Sequence, residues 1–211
     1  MKIWSDDITA GTRMPDEFCF CRPNEEAHVE LAPNRNPHLA WEGAPEGTQS
    51  YVVIMHDPDV PTVGDDVNQE GRTVPHDLQR TDFFHWVLVD INAGTTQITG
   101  GSHSDGITPR GKDGPDGPQE TRHGTNDYTG WFAGDADMAG SYFGYDGPCP
   151  PWNDERLHRY CFTVFALDTD ICGVSGEFTG ADVREAIDGH VLDRASLEVT
   201  YSLNPAVFGL G

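Results

Sequence analysis

Phe83-Phe84-His85-Trp86-Val87-Leu88-Val89-Asp90-Ile91 is dense in β-branched and aromatic side chains and has polar, turn-forming sequence on either side, which reads as a central β-strand. Tyr51-Val52-Val53-Ile54-Met55 reads the same way. The run from Tyr160 to Leu167 and the stretch from Leu197 to Leu203 add two more strands, and Gly and Pro punctuate nearly everything between them. The fold class is therefore mainly β. A helix is predicted over residues 181–187, where Thr179 or Gly180 can cap it, Asp182 sits in its first turn and Gly189 follows its end. A shorter turn is expected at 190–195. Residues 62–82 and 94–140 are polar and glycine-rich with little periodicity, so each is expected to be a long surface excursion that shapes a site or a subunit contact.

The chain has 211 residues, 36% of them hydrophobic, which suffices for a core of ordinary size. No internal repeat or linker divides it, so a single domain over 1–211 is expected. No stretch approaches the roughly 20 apolar residues that span a bilayer, and the start lacks the apolar segment of a secretory signal, so the expected location is the cytoplasm. A formal charge of −22, with Lys2 and Lys112 the only lysines, argues against binding nucleic acid or anionic lipid surfaces. A small anion in a local pocket stays compatible with that charge, because distant charges are screened within about 8 Å at physiological salt.

Cys19, Cys21, Cys149, Cys161 and Cys172 form an odd set without paired metal-ligand spacing, so reduced thiols are expected and neither a disulfide framework nor a zinc site. Cys19 and Cys21 alternate as a strand would and read as small buried hydrophobes. Cys149 is the one thiol expected to be exposed and reactive. His76, His103 and His123 lie among Asp and Gly in the excursions and read as solvated loop histidines. Trp131, Phe132, Met138, Tyr142, Phe143 and Tyr145 need burial, first by folding back over a pocket rim and the core and second at a subunit interface. Tyr145 is included as a pocket wall.

Three segments carry the chemistry. Asp57-Pro58-Asp59-Val60-Pro61 follows a strand, where such a motif usually forms a turn closed by Asp side chains. His85 stands within the next strand. Gly147-Pro148-Cys149-Pro150-Pro151 is a loop stiffened by proline, and it leads to His158-Arg159-Tyr160.

Together with Pro37-His38-Leu39-Ala40-Trp41-Glu42-Gly43, these segments resemble the phosphatidylethanolamine-binding protein family, also called Raf kinase inhibitor-like proteins, in its bacterial and archaeal branch. The resemblance runs from about Ile3 to Ser202, apart from the two excursions. It implies two antiparallel sheets, sandwich-like and of Greek-key type, with one or two short peripheral helices. It also implies a small pocket for phosphate-like anions and phospholipid head groups. By position, Asp57, Asp59 and Pro61 match the family's turn residues and His85 its strand histidine. Cys149, Pro150 and Pro151 match its loop, with Gly147 beside it, and His158 and Tyr160 match its last site residues. Animal members carry a C-terminal helix at the pocket, whereas this chain is expected to end a few residues after its last strand, over 204–211.

The residues suit an anion site on their own chemistry. A histidine can donate one ring N–H to an anion while Asp57 accepts from the other, and each such bond contributes on the order of 1.5–3 kcal/mol. The expectation is a non-catalytic binding protein for phosphate-like anions or phosphorylated head groups, acting also as a kinase or protease inhibitor-like regulator and without a cofactor. The partners expected are a small anion, a target kinase or protease, and a second copy in a homodimer. The alternative is a hydrolytic or metal-assisted enzyme using Asp57, His85 and His158. It is disfavoured because no Ser or Cys sits on a nucleophile elbow and the prolines around Cys149 leave few N–H groups for an oxyanion.

Overall fold

The computed structural model describes residues 1–207, so residues 208–211 of the expected tail lie outside the described residues. In chain order the first strands are β1 (Lys2–Trp4), β2 (Cys21–Asn24), β3 (His28–Leu31), β4 (Leu39–Glu42) and β5 (Ser50–Pro61). They are followed by β6 (Arg80–Asn92), β7 (Gln97–Ile98), β8 (Arg122–His123), β9 (His158–Leu167) and β10 (Val191–Tyr201). Two short α-helices, α1 (Tyr128–Trp131) and α2 (Gly180–Ala186), lie in the connections between strands. The principal sheet is five-stranded in the order β10-β9-β5-β6-β8; β1-β4-β7 form a three-stranded sheet and β2-β3 a two-stranded ribbon. Every pairing between these named strands is antiparallel. The fold is thus mainly β, as expected, with the ribbon as an additional small sheet.

Side-chain alternation explains how the principal sheet is covered, because successive residues of a strand point to opposite faces. Tyr51, Val53, Met55, Trp86, Leu88, Phe162 and Val164 join one apolar cluster with Leu39, Trp41 and Ile98 of the three-stranded sheet. Val52, Ile54, Val87, Val89 and Phe84 face the other way and pack with Phe178, Val183 and Ile187 of the α2 region. Helix α2 begins at a capping box, in which Thr179 accepts from the Asp182 N–H and the Asp182 carboxylate accepts from the Thr179 N–H.

Three local expectations change. Asp57-Pro58-Asp59-Val60-Pro61 is not a turn after a strand but the end of β5, interrupted by a bulge: Asp57 lies opposite Phe83 and Val60 opposite Thr81. Pro58 has no N–H to give to a ladder, and the Asp59 N–H turns inward to the Asp57 carboxylate at 2.7 Å. The turn expected at 190–195 is the start of β10, because Val191 and Arg194 find β9 partners in Leu167 and Phe165. The 94–140 excursion is not structureless, since it holds β7, α1 and β8, the last of which pairs with β6.

Gly180 permits the contact between α2 and β6: a Cβ there would lie 2.2 Å from the Phe84 ring. Arg184 stacks on that ring at 4.7 Å, which leaves it little freedom to move. Gly180→Ala should gain at most about 1 kcal/mol in helix propensity and lose about 1–3 kcal/mol to overpacking. Urea unfolding is therefore expected to show a net loss of stability, and a gain would contradict the packing described.

Candidate functional site

A cavity of about 470 Å³ opens where the far ends of β5, β6 and β9 meet the β2–β3 ribbon, α1 and the proline loop. Its buried end is lined by Asp57, His85 and Tyr160, each no more than 3% exposed. Phe83, Tyr128, Phe132, Pro150 and Pro151 form most of the remaining wall, and Leu31 and Trp131 stand at the rim, 62% and 52% exposed.

Two bulges aim the polar residues into this space. Met55 pairs with Trp86 and His56 with Phe84, so His85 is the extra residue on β6. That insertion is why Phe84 and Trp86, two positions apart, belong to opposite apolar clusters. The bulge after Asp57 does the same for β5.

The His85 ring is oriented from behind. Its Nδ1 donates to the Asp146 carbonyl at 2.8 Å, and Nε2 has no hydrogen-bond partner among the described residues. Burial pushes the imidazole down to about 4, so the ring is neutral near pH 7 and Nε2 presents a lone pair. Asp146 is itself buried; its carboxylate accepts from Asn34 at 2.8 Å and Asn126 at 2.7 Å and pairs with Lys112 at 3.0 Å. Gly147 is fixed on both sides: its N–H donates to Asn34 Oδ1, and its carbonyl accepts from the Tyr128 hydroxyl, both at 2.8 Å. A Cβ at Gly147 would lie 2.1 Å from the Phe18 carbonyl oxygen, so no larger residue fits.

His158 does not face the cavity, which corrects the expectation that it donates to an anion. Asp57 accepts from Nδ1 at 2.6 Å, as expected, but Asp154 accepts from Nε2 at 3.1 Å. Two carboxylates on one ring require an imidazolium. Burial alone would lower its pKa, but the charge of Asp57 and the hydrogen bonds to Asp154 and Asp57 outweigh burial and raise it to about 9. Arg80 then binds Asp154 through both terminal nitrogens, at 2.5 and 3.0 Å. The result is an alternating row of buried charges, Asp57, His158, Asp154 and Arg80, that leaves no net positive charge at the cavity floor.

The other expected residues are split between wall and support. Pro61 and Cys149 line the cavity. Asp59 lies outside it, held by Arg156 and Arg159 at 2.8 Å each. Tyr145 is fully buried, donates to the Phe18 carbonyl and meets Trp86 edge-on at 5.5 Å, so it is not a cavity wall; Tyr128 and Tyr160 line the cavity instead. Asp154, the second acceptor, lies in a loop four residues before His158, where no local pattern marks it. Among the described residues the Tyr160 hydroxyl has no hydrogen-bond partner, and burial first, then the nearby Asp57, raises its pKa well above the usual value.

Two further expectations are corrected. Cys149 is not a free thiol but is disulfide-bonded to Cys21, leaving Cys19, Cys161 and Cys172 free. A separation of 128 residues hides such a bond from spacing rules. His123 is buried and His103 half-buried, not solvated: their Nε2 and Nδ1 atoms lie 2.9 Å apart, and burial lowers them to about 3 and about 4.

These shifts set a pH profile. His158, raised to about 9 from an ordinary 6.5, contributes fully below pH 6.5 and loses its contribution as pH rises toward 9. His85, lowered to about 4, contributes fully above 6.5 and loses its contribution as pH falls. The melting midpoint is therefore expected to peak near pH 6–7 and to fall on both sides. Scanning calorimetry from pH 4 to 9 tests this, and a midpoint that stays level between 6.5 and 9 would contradict a buried imidazolium at His158.

Known proteins resemble this chain in sequence and fold. The UPF0098 protein YbhB of Escherichia coli is 31% identical over 202 residues, covering 96% of this chain and all of that protein. A UPF0098 protein of Aquifex aeolicus is 31% identical over 77% of this chain and 71% of its own length. The crystal structure of Escherichia coli YbcL, described as a new member of the mammalian PEBP family, superposes with a TM-score of 0.68 at 25% identity, covering 95% of this chain and 97% of that one. The profile of the phosphatidylethanolamine-binding protein family matches residues 4–202, and the chain belongs to that family.

Proposed function

We propose that this chain is a non-catalytic, single-domain binding protein whose cavity takes a small ligand with a phosphate-like head. The observation that carries the reading is the make-up of the buried end: an unpartnered His85 Nε2, an unpartnered Tyr160 hydroxyl and the Asp57 carboxylate, enclosed by apolar walls. Such a floor accepts hydrogen bonds and offers one hydroxyl, but it supplies no cation. The head must therefore bring its own proton, as a phosphate monoanion with an O–H does. Asp57, His85 and Tyr160 hold the head, and Pro61, Cys149, Pro150 and Pro151 shape the wall. Asp59, Gly147, His158 and Tyr145 act from behind.

The enzymatic alternative loses support from the same geometry. Both nitrogens of His158 are committed to carboxylates, so Asp57, His85 and His158 do not present three converging lone pairs. Regulation of a kinase or protease is the second reading, favoured by the exposed Leu31 and Trp131 at the cavity rim. No helix among the described residues is long and apolar enough to cross a membrane. A cytoplasmic location is proposed with that, and the Cys21–Cys149 disulfide is the feature that pulls against a reducing compartment.

Methyl phosphate and sulfate separate a proton-requiring site from a charge-requiring one, since a phosphate monoester titrates near pH 6 and sulfate does not titrate. Calorimetry is expected to show methyl phosphate binding several-fold tighter at pH 5 than at 7.5, with sulfate weak and level across the interval. His85→Ala should weaken methyl phosphate on the order of tenfold, one hydrogen bond's worth. Equal affinity for both anions, or unchanged affinity in His85→Ala, would remove the reading.

A further inference from the structure

The disulfide lies in the cavity wall. Cys21 and Cys149 both line the cavity, beside Phe20 on one side and Pro150 on the other. Cys149 is half-buried, whereas Cys21 is 5% exposed. Of the two half-cystines, Cys149 is therefore the more accessible residue. We infer that the Cys21–Cys149 disulfide is a thiol-exchange site, at which a small organic thiol forms a mixed disulfide with Cys149.

The step balances without any outside oxidant. The incoming thiolate attacks Cys149 Sγ in line with the S–S bond, a new S–S bond forms to Cys149, and Cys21 leaves as a thiolate that takes the proton the reagent gave up. One disulfide is consumed and one is made.

The surroundings permit the exchange without unfolding. Cys21 begins β2, which among the described residues pairs in a sheet with β3 alone, so the departing side belongs to a two-stranded ribbon rather than to the principal sheet. The proline loop stays anchored by bonds that do not involve sulfur: Pro148 O accepts from Phe20 N at 2.9 Å and Cys21 N at 3.2 Å, and Gly147 is held by Asn34 and Tyr128. The freed Cys21 thiolate lies beside the adduct and can expel it, so the adduct stands in an equilibrium that the acid quench freezes. Of the other thiols, Cys161 donates to Glu198 at 3.5 Å. Cys19 is fully buried, and burial raises its pKa well above the usual thiol range. Cys172 packs in the cluster on the far face of the principal sheet.

Charge selects among thiols. Asp57 shares the cavity with the disulfide, and the molecule carries a formal −22. A thiol with its own carboxylate should enter less readily than a neutral one.

The test uses the oxidised full-length chain under native conditions, treated with 2-mercaptoethanol or with mercaptoacetate, quenched in acid and read by intact mass and peptide mapping. Each rate is divided by that of the same thiol with a small free disulfide. The expected result is a mass gain of one 2-mercaptoethanol on the Cys149 peptide, a free Cys21, an unchanged near-ultraviolet dichroism spectrum, and a several-fold lower normalised rate for mercaptoacetate. The adduct should persist in Cys19→Ala. An adduct that forms only in denaturant, that maps to Cys21, or that disappears in Cys19→Ala would overturn the assignment. Equal normalised rates for the two thiols would overturn its charge selectivity.

Discussion

The arrangement at the cavity depends on one ionic interaction, the His158 imidazolium held between Asp57 and Asp154. Isolated charges at this depth would cost several kcal/mol each. The alternation of sign through to Arg80 offsets that cost because each carboxylate has a cation beside it. Asp57 lies on β5, His158 on β9, Asp154 just before β9, and Arg80 at the start of β6. The row therefore ties together the ends of the strands that carry the site, and Asp57 keeps its place in the cavity because its other interactions fix it from behind.

The bulges convert this framework into a site. A regular β6 would send His85 to one face and keep Phe84 and Trp86 together on the other. The inserted residue separates that pair between the two apolar clusters and leaves His85 at the sheet end facing the cavity. Packing on both faces then resists any register slip, since a one-residue shift would reverse every buried side chain on the strand.

Much of the fold was legible in the sequence because runs such as 83–91 and 160–167 combine β-forming side chains with turn residues at their ends. The helix was legible for a similarly local reason, the Thr179 and Asp182 spacing. The bulge at Asp57 was misread as a turn, since both place an Asp side chain on a nearby N–H and the difference lies in whether a partner strand continues alongside. His158 was placed correctly on its strand but assigned the wrong second partner. Asp154 is four residues away in a loop, where no periodicity says which way it points. The disulfide and the His103–His123 pair were illegible for another reason: they join segments that only the tertiary fold brings together, and neither leaves a trace in local composition.

The His85 ring is oriented by a part of the chain that side-chain substitution leaves in place. The acceptor on Nδ1 is the carbonyl of Asp146, a main-chain group that every residue type possesses. Drift in the aromatic and proline walls can alter the size and shape of guests freely, while the tautomer at the deep end is inherited from the path of the chain. Diversification of this pocket is therefore expected to change what body a guest has sooner than it changes which atom of the guest is grasped.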